Sequence, residues 1–460
     1  MKKNRNITYK GLALILSVLV FTISCEKWTD SDINIDPDKP ANVPMGLILP
    51  GIQQSMGYNL VGNNSVRTNN IWMQIFEGVD RQSFTEGRYQ LVSSDVNNLW
   101  TNMYTEMMIN STIIIDKADD EGLESPHFAG IAQVLLATSL GIGTDLFGDM
   151  PFTEAFKGGE NILSPVYDGQ ESLYGSINTL LDQAIGNLNS TNNVIDVSGD
   201  VIYDGDLDKW KKAASSIKAR HAIQQTKRNG NAAYSAALAA VANGFTSNDD
   251  DFLVPFEDQN KNPIFQFMEQ RTDIRMGANL IDLLLATDDP RLPFYAEEDA
   301  DGNYSGSALR SQNSDASFPG PNLAAFDASA KLMTYSELKF IEAEARLGLG
   351  QAGAQEAYEA AVAASVLRIT GEANTAWLDA NINGDPVTLE KLMTQKYIDG
   401  AGTNQPYADY RRTGLPSLTL APDAVVSEIP RRFPYPQGEL DYNTQNVPAV
   451  TLLTKVWWDQ

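Results

Sequence analysis

Apolar residues recur at a spacing of three or four positions over most of this chain. Between residues 170 and 188, Leu173, Ile177, Leu181, Ala184 and Leu188 fall on one face of a helix. The same period predicts helices over residues 95–118, 129–140, 208–228, 231–242, 336–347, 351–367 and 388–398. The chain is therefore expected to fold mostly as α-helices.

Several of these helices follow one another after short connections, which suggests helix hairpins. The arrangement is like that of tetratricopeptide repeats, although no strict repeat of about 34 residues is present. Long stretches rich in Gly, Pro, Asn, Asp and aromatic residues interrupt the helices at 246–275 and 288–330, and a few short strands are expected there, for example at Phe252 to Phe256. Because long ordered loops on a helical scaffold usually carry function, we expect these irregular loops to bind the ligand.

The first 24 residues differ from the rest of the chain. They begin with four basic residues and continue as an almost unbroken apolar run from Gly11 to Ile23, which is too short to span a bilayer but suits a signal peptide. Cys25 follows this run and is the only cysteine of the chain. This layout predicts a bacterial lipoprotein that is cleaved before Cys25 and acylated on it. The alternative is an ordinary secretory signal followed by an unremarkable cysteine.

The sequence thus predicts three parts. Residues 1–24 are the lipoprotein signal peptide, residues 25–44 are an extended tether, and residues 45–460 are a single helical domain with a loop-rich ligand-binding region. The tether is polar and holds Pro37, Pro40 and Pro44, which disfavour helix. The lipid on Cys25 would be the membrane anchor.

Charge and composition narrow the classes of function. The chain has 460 residues, with 34 Lys and Arg against 59 Asp and Glu, and its net charge of −25 would repel the phosphates of a nucleic acid. A single cysteine excludes an internal disulfide framework and a multi-thiolate zinc site. Two histidines disfavour a metal centre built from several histidines. We therefore expect no nucleic-acid partner. We also expect no cofactor, apart from a candidate calcium site that is described below.

Two segments combine aromatic side chains with polar hydrogen-bonding groups. Sugar rings present an apolar C–H face and a polar rim, so sites that bind them pair a flat aromatic ring with carboxylate, amide or guanidinium groups. The residues predicted to bind ligand on this ground are Trp72, Phe76, Arg81, Tyr89, Tyr304 and Phe318. For Trp72 and Phe76, which are four positions apart, a buried core stripe is the alternative.

Other candidate chemistry has a simpler structural interpretation. Asp299, Asp301 and Asn303 space oxygen ligands at alternate positions, as calcium loops do, but the bidentate glutamate of a full EF-hand is missing. A tight turn is the alternative for this run. Asp149 and Glu154 could form a catalytic carboxylate pair, but their segment reads first as a helix end followed by a turn.

The few histidines and the paired arginines also have structural interpretations. His127 and His221 are expected to be packed, hydrogen-bonded residues, because no nucleophile motif accompanies either. The arginine pairs 411–412 and 431–432 are expected to tie loops together through carboxylates and backbone carbonyls, and an anion site for the ligand is the alternative.

Short motifs follow one another in order over most of the mature chain. They are Asn34-Ile-Asp-Pro-Asp38, Trp72-Met-Gln-Ile-Phe76, Trp100-Thr-Asn-Met-Tyr104, Thr144-Asp-Leu-Phe-Gly-Asp-Met-Pro-Phe-Thr-Glu-Ala155, Tyr203-Asp-Gly-Asp-Leu-Asp-Lys-Trp-Lys-Lys212, Asp288-Asp-Pro-Arg-Leu292, Thr334-Tyr-Ser-Glu-Leu-Lys-Phe-Ile-Glu-Ala-Glu-Ala345, Tyr407-Ala-Asp-Tyr-Arg-Arg-Thr-Gly414 and Ile429-Pro-Arg-Arg-Phe-Pro-Tyr-Pro436. Behind a lipoprotein signal, this series resembles the SusD/RagB family of Bacteroidetes outer-membrane lipoproteins, in its SusD-like branch.

The resemblance implies tetratricopeptide-like helix hairpins that support irregular ligand-binding loops. It implies a lipoprotein that is anchored in the outer membrane and faces the cell exterior, where it captures a glycan or, in some members, a peptide. It also implies a partner, a SusC-like TonB-dependent transporter, over which the protein closes as a lid. No catalysis is implied. The run Ala213 to Ile217 departs from the family's usual Phe-Ala-Asn-Ser-Leu. The family's ligand aromatics vary in position, so the resemblance supplies no binding residues.

Two other functions are compatible with an exported helical protein. The second hypothesis is an exported helical-barrel glycoside hydrolase or lyase, and the third is a structural surface-layer protein. The scarcity of histidine and the lack of a distinctive carboxylate pair count against the enzyme. Release of reducing ends from polysaccharides would favour the enzyme, whereas retention without cleavage would favour the binding protein.

Overall fold

Several helices begin at a residue whose side chain caps them. The computed structural model describes residues 43–120 and 122–460. In it, the Thr334 hydroxyl accepts from the backbone N–H of Glu337 at the start of the helix Tyr335–Leu349, and Gly350, with φ of 63°, ends that helix. Residues Met45–Gln460 form one compact unit. The predicted signal peptide, Cys25 and nearly all of the predicted tether lie outside the described residues.

Twenty helices are labelled here in chain order along the described residues. The first ten are α1 (Met45–Ser55), α2 (Asn64–Trp72), α3 (Arg81–Glu86), α4 (Asn97–Asn102), α5 (Ile109–Ala118), α6 (Pro126–Phe147), α7 (Gln170–Leu188), α8 (Leu207–Gln224), α9 (Thr226–Asn229) and α10 (Asn231–Val241). The second ten are α11 (Pro263–Gln270), α12 (Ala278–Leu285), α13 (Leu292–Tyr295), α14 (Pro321–Ala324), α15 (Tyr335–Leu349), α16 (Ala354–Thr370), α17 (Thr375–Asn381), α18 (Leu389–Asp399), α19 (Gln405–Thr413) and α20 (Gln437–Tyr442).

Four short strands lie in the described part of the chain and form two antiparallel pairs. They are β1 (Phe76–Gly78), β2 (Phe252–Val254), β3 (Ile274–Met276) and β4 (Ala330–Met333). β1 pairs with β3, with Phe76 opposite Met276, and β2 pairs with β4, with Phe252 opposite Met333. Each pair joins segments that are far apart in the sequence.

Helix pairs make up the scaffold. α6 packs most extensively against α7, and α15 against α16. The loop between α15 and α16 turns through Gly350 and Gly353, which both have positive φ. α10 packs against α8 and also against α15, so it joins two parts of the scaffold. These contacts build the predicted helix hairpins.

The long helix α6 occupies the interior. Among the described residues it is the one helix whose length and apolar composition would suit a membrane crossing, and its most apolar window is wholly buried in the protein. It therefore has the surroundings of a core helix. Its residues form part of the main apolar cluster, and a smaller cluster that includes Phe340, Tyr358 and Leu392 lies between α15, α16 and α18.

The mostly helical fold with a few short strands is confirmed, and the predicted helices lie close to the observed ones. The prediction for 170–188 coincides with α7, and 336–347 falls within α15. The sequence reasoning did not predict α1, α2 or α19, and it treated the residues of α11 as irregular. These four helices are eight to eleven residues long, so each offers few turns in which a period can be recognised.

The paired arginines tie distant segments together, as predicted. A guanidinium nitrogen of Arg412 donates to the Glu344 carboxylate at 2.8 Å, and Arg431 Nε donates to Asp459 at 2.7 Å. Arg411 donates to the backbone carbonyl of Asp145 at 2.6 Å. These contacts join α19 to α15 and to α6, and they join the segment of Arg431 to the C-terminal residues.

Candidate functional site

Three of the aromatic residues predicted to bind ligand lie in the protein core. Trp72, Phe76 and Tyr89 are at most 1% exposed. The Trp72 ring packs edge-to-face against Tyr89 and Tyr407, and its indole N–H donates to the backbone carbonyl of Glu86 at 3.0 Å. A ring without an open face cannot stack on a sugar, so these three residues are corrected from ligand contacts to core residues. For Trp72 and Phe76 the core-stripe alternative is the one observed.

The two segments that carried the candidate residues nevertheless meet in space. β1 lies within the first segment, between Trp72 and Tyr89, and pairs with β3, while Gly277, just after β3, forms a bridge with Ser307 of the second segment. The backbone N–H of Arg310 donates to the carboxylate of Glu77 at 3.0 Å. Loops more than 200 residues apart in the sequence therefore form one continuous surface.

Guanidinium groups lie over phenylalanine rings across this surface. The carbon at the centre of the Arg310 guanidinium is 3.6 Å from the centroid of Phe84, and that of Arg275 is 3.7 Å from Phe318. Such cation–π contacts hold both partners in a fixed position. We call the whole set the arginine–aromatic surface; it consists of Arg67, Arg81, Phe84, Arg88, Phe267, Arg271, Arg275, Arg310 and Phe318.

The short helix α3 lies at the centre of this surface. The side chain of Asp80 accepts from the backbone N–H of Arg81 at 2.8 Å, and Arg81 itself has a φ of 48°. Tyr89, just beyond the helix, has a φ of 63°. Non-glycine residues in the left-handed region are strained and persist where their surroundings fix them, often at functional sites. Here Arg310 fixes the helix by donating to the backbone carbonyl of Phe84 at 2.7 Å.

Two aspartates are shared between arginines of this surface. Asp423 accepts from Arg310 at 2.8 and 3.0 Å, and Arg88 approaches the same carboxylate at 3.6 Å. Asp273 is buried, accepts from Arg271 and lies 3.5 Å from Arg81. In each case one arginine makes the short contact with the carboxylate, and Arg81 or Arg88 approaches that carboxylate at 3.5 or 3.6 Å; Arg88 also donates to the backbone carbonyl of Asp423 at 3.3 Å.

Two buried glutamates lie under the surface. Burial raises the pKa of Glu77 to about 7, against the opposing effects of a backbone hydrogen bond and the charge of Arg310. Burial likewise raises the pKa of Glu86 to about 7, opposed by the charge of Arg67. One carboxylate oxygen of Glu86 and the Arg67 Nε have no hydrogen-bond partner within the described residues. Both glutamates are therefore only partly ionised at neutral pH.

The other predicted ligand residues lie in or beside this surface. The Arg81 side chain is 60% exposed. Phe318 is half-buried beneath Arg275, and Tyr304 is half-buried in the neighbouring loop. A ligand could reach all three, and their role in binding stays a prediction.

The candidate calcium run forms a turn. One carboxylate oxygen of Asp299 accepts from the backbone N–H groups of Asp301 and Asn303, each at 3.0 Å, and the other accepts from the Ser305 hydroxyl at 2.6 Å. Among the described residues there is no group of three or more His, Cys, Asp or Glu residues placed to hold a metal ion. Asp299 thus stabilises its own loop, and calcium binding stays a prediction.

A cleft of about 800 Å³ lies beside β4 and the end of α16. Its lining includes Phe294, Asn322, Asp327, Lys331 and Arg368. One aromatic ring with amide, carboxylate and cationic groups is a suitable composition for a polar ligand. The sequence reasoning placed no candidate residue in this cleft.

The histidines and the carboxylates weighed as a catalytic pair have structural partners. A ring nitrogen of His221 lies 3.1 Å from the Gln224 side chain, and burial lowers the pKa of His221 to about 3. A His127 ring nitrogen lies 2.9 Å from the carbonyl of Ser190. The carboxylate of Asp149 accepts from the backbone N–H of residue 170 and that of Glu154 from residue 166, at 2.8 and 3.0 Å. None of these groups is set up as a catalytic acid or base by its surroundings.

The protein consists of helix hairpins that support a polar and aromatic surface built from loops. This combination is typical of helical binding proteins. The chain belongs to the SusD-like family whose description is "Starch-binding associating with outer membrane", since that family's model matches residues 37–436. The family and its structural relatives are binding proteins and not catalysts. Its description also supports an outer-membrane location.

Solved structures of related proteins show the same fold. A SusD/RagB family protein from Bacteroides thetaiotaomicron has 26% sequence identity and a TM-score of 0.79, covering 91% of this chain and 99% of its own. A chitin-binding protein has 26% identity and a TM-score of 0.80, covering 91% of this chain and 100% of its own. A chitin-binding SusD homolog from Flavobacterium johnsoniae has 24% identity and a TM-score of 0.78, covering 90% and 98%. No curated protein matches the sequence.

Proposed function

We propose that this protein captures a nutrient oligomer, most simply a glycan, at the outer membrane and passes it on for uptake without cleaving it. The observation that carries the proposal is the family match over residues 37–436, together with a chitin-binding relative of the same fold at 26% identity. The arginine–aromatic surface supports it, because it combines hydrogen-bonding groups with apolar rings in the way that sugar sites require.

The proposal extends to how the protein is held and with what it acts. Acylation of Cys25 would anchor the mature chain in the outer membrane, facing the cell exterior, with residues 26–44 as the tether. A SusC-like TonB-dependent transporter would be its partner, and the protein would close over that transporter as a lid. The family description, which places these proteins in association with the outer membrane, supports this arrangement.

Binding without cleavage can be measured on the purified mature chain. The protein is run in affinity gels containing starch, chitin derivatives and other polysaccharides, and binding of the matching oligomers is measured by calorimetry. The same mixtures are assayed for reducing ends. Retardation with no release of reducing ends is expected. Release of reducing ends would instead support the helical-barrel hydrolase or lyase, and absence of any saturable ligand would contradict the proposal.

The anchor and the transporter need separate experiments. The change Cys25→Ser is expected to leave the protein outside the membrane fraction, since the acceptor for the lipid is lost. Purification of the wild-type protein from mild detergent is expected to bring a TonB-dependent transporter with it. If the Cys25→Ser protein stays in the outer membrane and no transporter accompanies either form, the anchor and lid proposals are wrong, while glycan binding is unaffected.

A further inference from the structure

The arginine–aromatic surface is rich in arginine on a strongly acidic protein. It gathers six arginines, whereas the whole chain has a net charge of −25. The carboxyl groups facing them are four aspartates and two glutamates: Asp80, Asp273, Asp315, Asp423, Glu77 and Glu86. Arg67, Arg275 and the Arg310 side chain are buried, whereas the Arg81 and Arg88 side chains are 60% and 40% exposed.

Two exposed arginines lack short contacts with a carboxylate. The carboxylate of Asp423 is occupied by both Nε and a terminal nitrogen of Arg310, so Arg88 reaches that carboxylate only at 3.6 Å, and its Nε donates to the Asp423 backbone carbonyl at 3.3 Å. In the same way Asp273 is occupied by Arg271, and Arg81 keeps contacts of 3.5 and 3.6 Å. These two guanidinium groups therefore have N–H donors available to a ligand.

The two available groups lie at opposite ends of α3. Arg81 lies at the start of α3 and Arg88 just beyond its end, seven positions away, which corresponds to roughly 10 Å along a helix. Phe84 lies between them and is held under Arg310. The surface therefore offers an apolar ring flanked by two donors that match a planar carboxylate through paired hydrogen bonds.

We infer that the arginine–aromatic surface binds a glycan that carries carboxylate groups, with Arg81 and Arg88 each receiving the carboxylate of a uronic acid unit and Phe84 contacting a sugar face. The inference rests on the proposed function and adds the chemical class of the ligand. It also assigns a task to Arg88 and Phe84, which the sequence analysis did not place among the binding residues.

The test compares ligands that differ only in charge. The purified mature protein is titrated with oligogalacturonate and with the same oligomer after methyl esterification, and with uronate-containing alginate and hyaluronan fragments. Neutral starch and chitin oligomers complete the panel. We expect at least one uronate ligand to bind, its affinity to fall with added salt, and its methyl ester, in the case of galacturonate, to bind at least tenfold more weakly.

Variants of the two arginines locate the binding. Arg81→Gln and Arg88→Gln are each expected to weaken uronate binding about tenfold, because each removes a charge-assisted hydrogen-bonding group. Arg228→Gln is the matched control, since this exposed arginine lies over Trp457, away from the surface. Unfolding curves of all three variants should match that of the wild type.

The outcomes separate this inference from the proposed function. If neutral glycans bind and no uronate glycan does, the inference is overturned and glycan capture stands. If uronates bind but Arg81→Gln and Arg88→Gln leave their affinity unchanged, the assignment of this surface is overturned. If no glycan of either kind binds, the proposed function fails and the inference fails with it.

Discussion

The helix hairpins and the arginine–aromatic surface are held together by different forces. In the hairpins α6–α7 and α15–α16, apolar side chains spaced along one helix pack against the next helix. In the arginine–aromatic surface, guanidinium groups join segments from residues 67–88, 267–275, 310–318 and 423 through carboxylates, carbonyls and rings. The first region is specified locally, and the second depends on partners that are distant in the sequence. The loops can therefore differ among relatives while the hairpins keep the fold.

The largest effect is expected from a buried ion pair within the scaffold. Arg412 joins α19 to Glu344 of α15 and also binds Asp409, and all three side chains are at least 90% buried. Arg412→Ala should lower the free energy of unfolding by about 3–5 kcal/mol, because it leaves the buried Glu344 carboxylate unpaired, while Asp409 keeps its ion pair with Lys396. The measurement is chemical denaturation. Arg346→Ala is the control: this partly exposed arginine pairs with Glu342 one helical turn away, and its loss should cost less than about 1 kcal/mol.

That comparison has a clear contradicting result. If Arg412→Ala and Arg346→Ala destabilise the protein equally, the polar contacts between α19 and α15 are not what fixes the scaffold there. The apolar contacts of the hairpins would then account for its stability alone.

A second large effect is expected at Trp72, which lies beneath the arginine–aromatic surface. Trp72→Ala should cost about 3–5 kcal/mol, since it opens a cavity and removes the donor to the Glu86 carbonyl. Trp72→Phe should cost less and leave glycan affinity unchanged, because the side chain supports the surface without reaching it. Thermal unfolding and calorimetry measure the two quantities. A folded Trp72→Phe protein that binds no ligand would show that Trp72 contributes directly to the site.

A smaller effect should depend on pH and should be confined to the loop region. Glu86 has a pKa of about 7 in the folded protein, raised mainly by burial, whereas an unfolded glutamate titrates near about 4.3. The folded state therefore holds this proton more tightly. Its contribution to stability is present below about pH 4.5 and is lost as the pH rises to about 7, on the order of 3–4 kcal/mol in all.

The variant Glu86→Gln should remove that contribution. Between pH 5 and pH 8 its unfolding free energy should fall less than that of the wild type, because the amide does not ionise. Denaturation at both pH values measures this difference. Glu356→Gln, at an exposed position in the first turn of α16, is the control and should follow the wild type. Parallel curves for Glu86→Gln and the wild type would show that Glu86 is ionised throughout this range.

The difference between the helix hairpins and the arginine–aromatic surface also explains which parts of the structure could be predicted from the sequence. The apolar period predicted the scaffold, as in α7, where Leu173, Ile177 and Leu181 are all buried. The spacing of Trp72 and Phe76 also indicated a buried core stripe, which is what the structure shows, although both were listed among the predicted ligand residues. Tyr89 was misplaced because its surroundings lack a helical period, and nothing local shows that its ring packs on Trp72.

The arginine–aromatic surface was only partly predictable. Its members Arg81 and Phe318 were proposed from residue type, but Arg271, Arg275 and Arg310 were not. These three arginines lie within or at the ends of the long irregular stretches that were expected to carry function. Arg310 covers Phe84 because β1 pairs with β3 about 200 residues later and brings the two loops together, and no local pattern encodes that pairing.

The smallest effect is expected at Tyr304, and it tests where the ligand lies. The side chain is half-buried in the loop fixed by Asp299 and Ser305, so Tyr304→Ala should change stability by less than about 0.5 kcal/mol. If its ring contacts a sugar, affinity should fall between about twofold and tenfold. Tyr442→Ala is the matched control, since Tyr442 is 84% exposed on α20, outside the arginine–aromatic surface. If Tyr442→Ala weakens binding and Tyr304→Ala does not, the ligand binds near α20 and not at the loop of Tyr304.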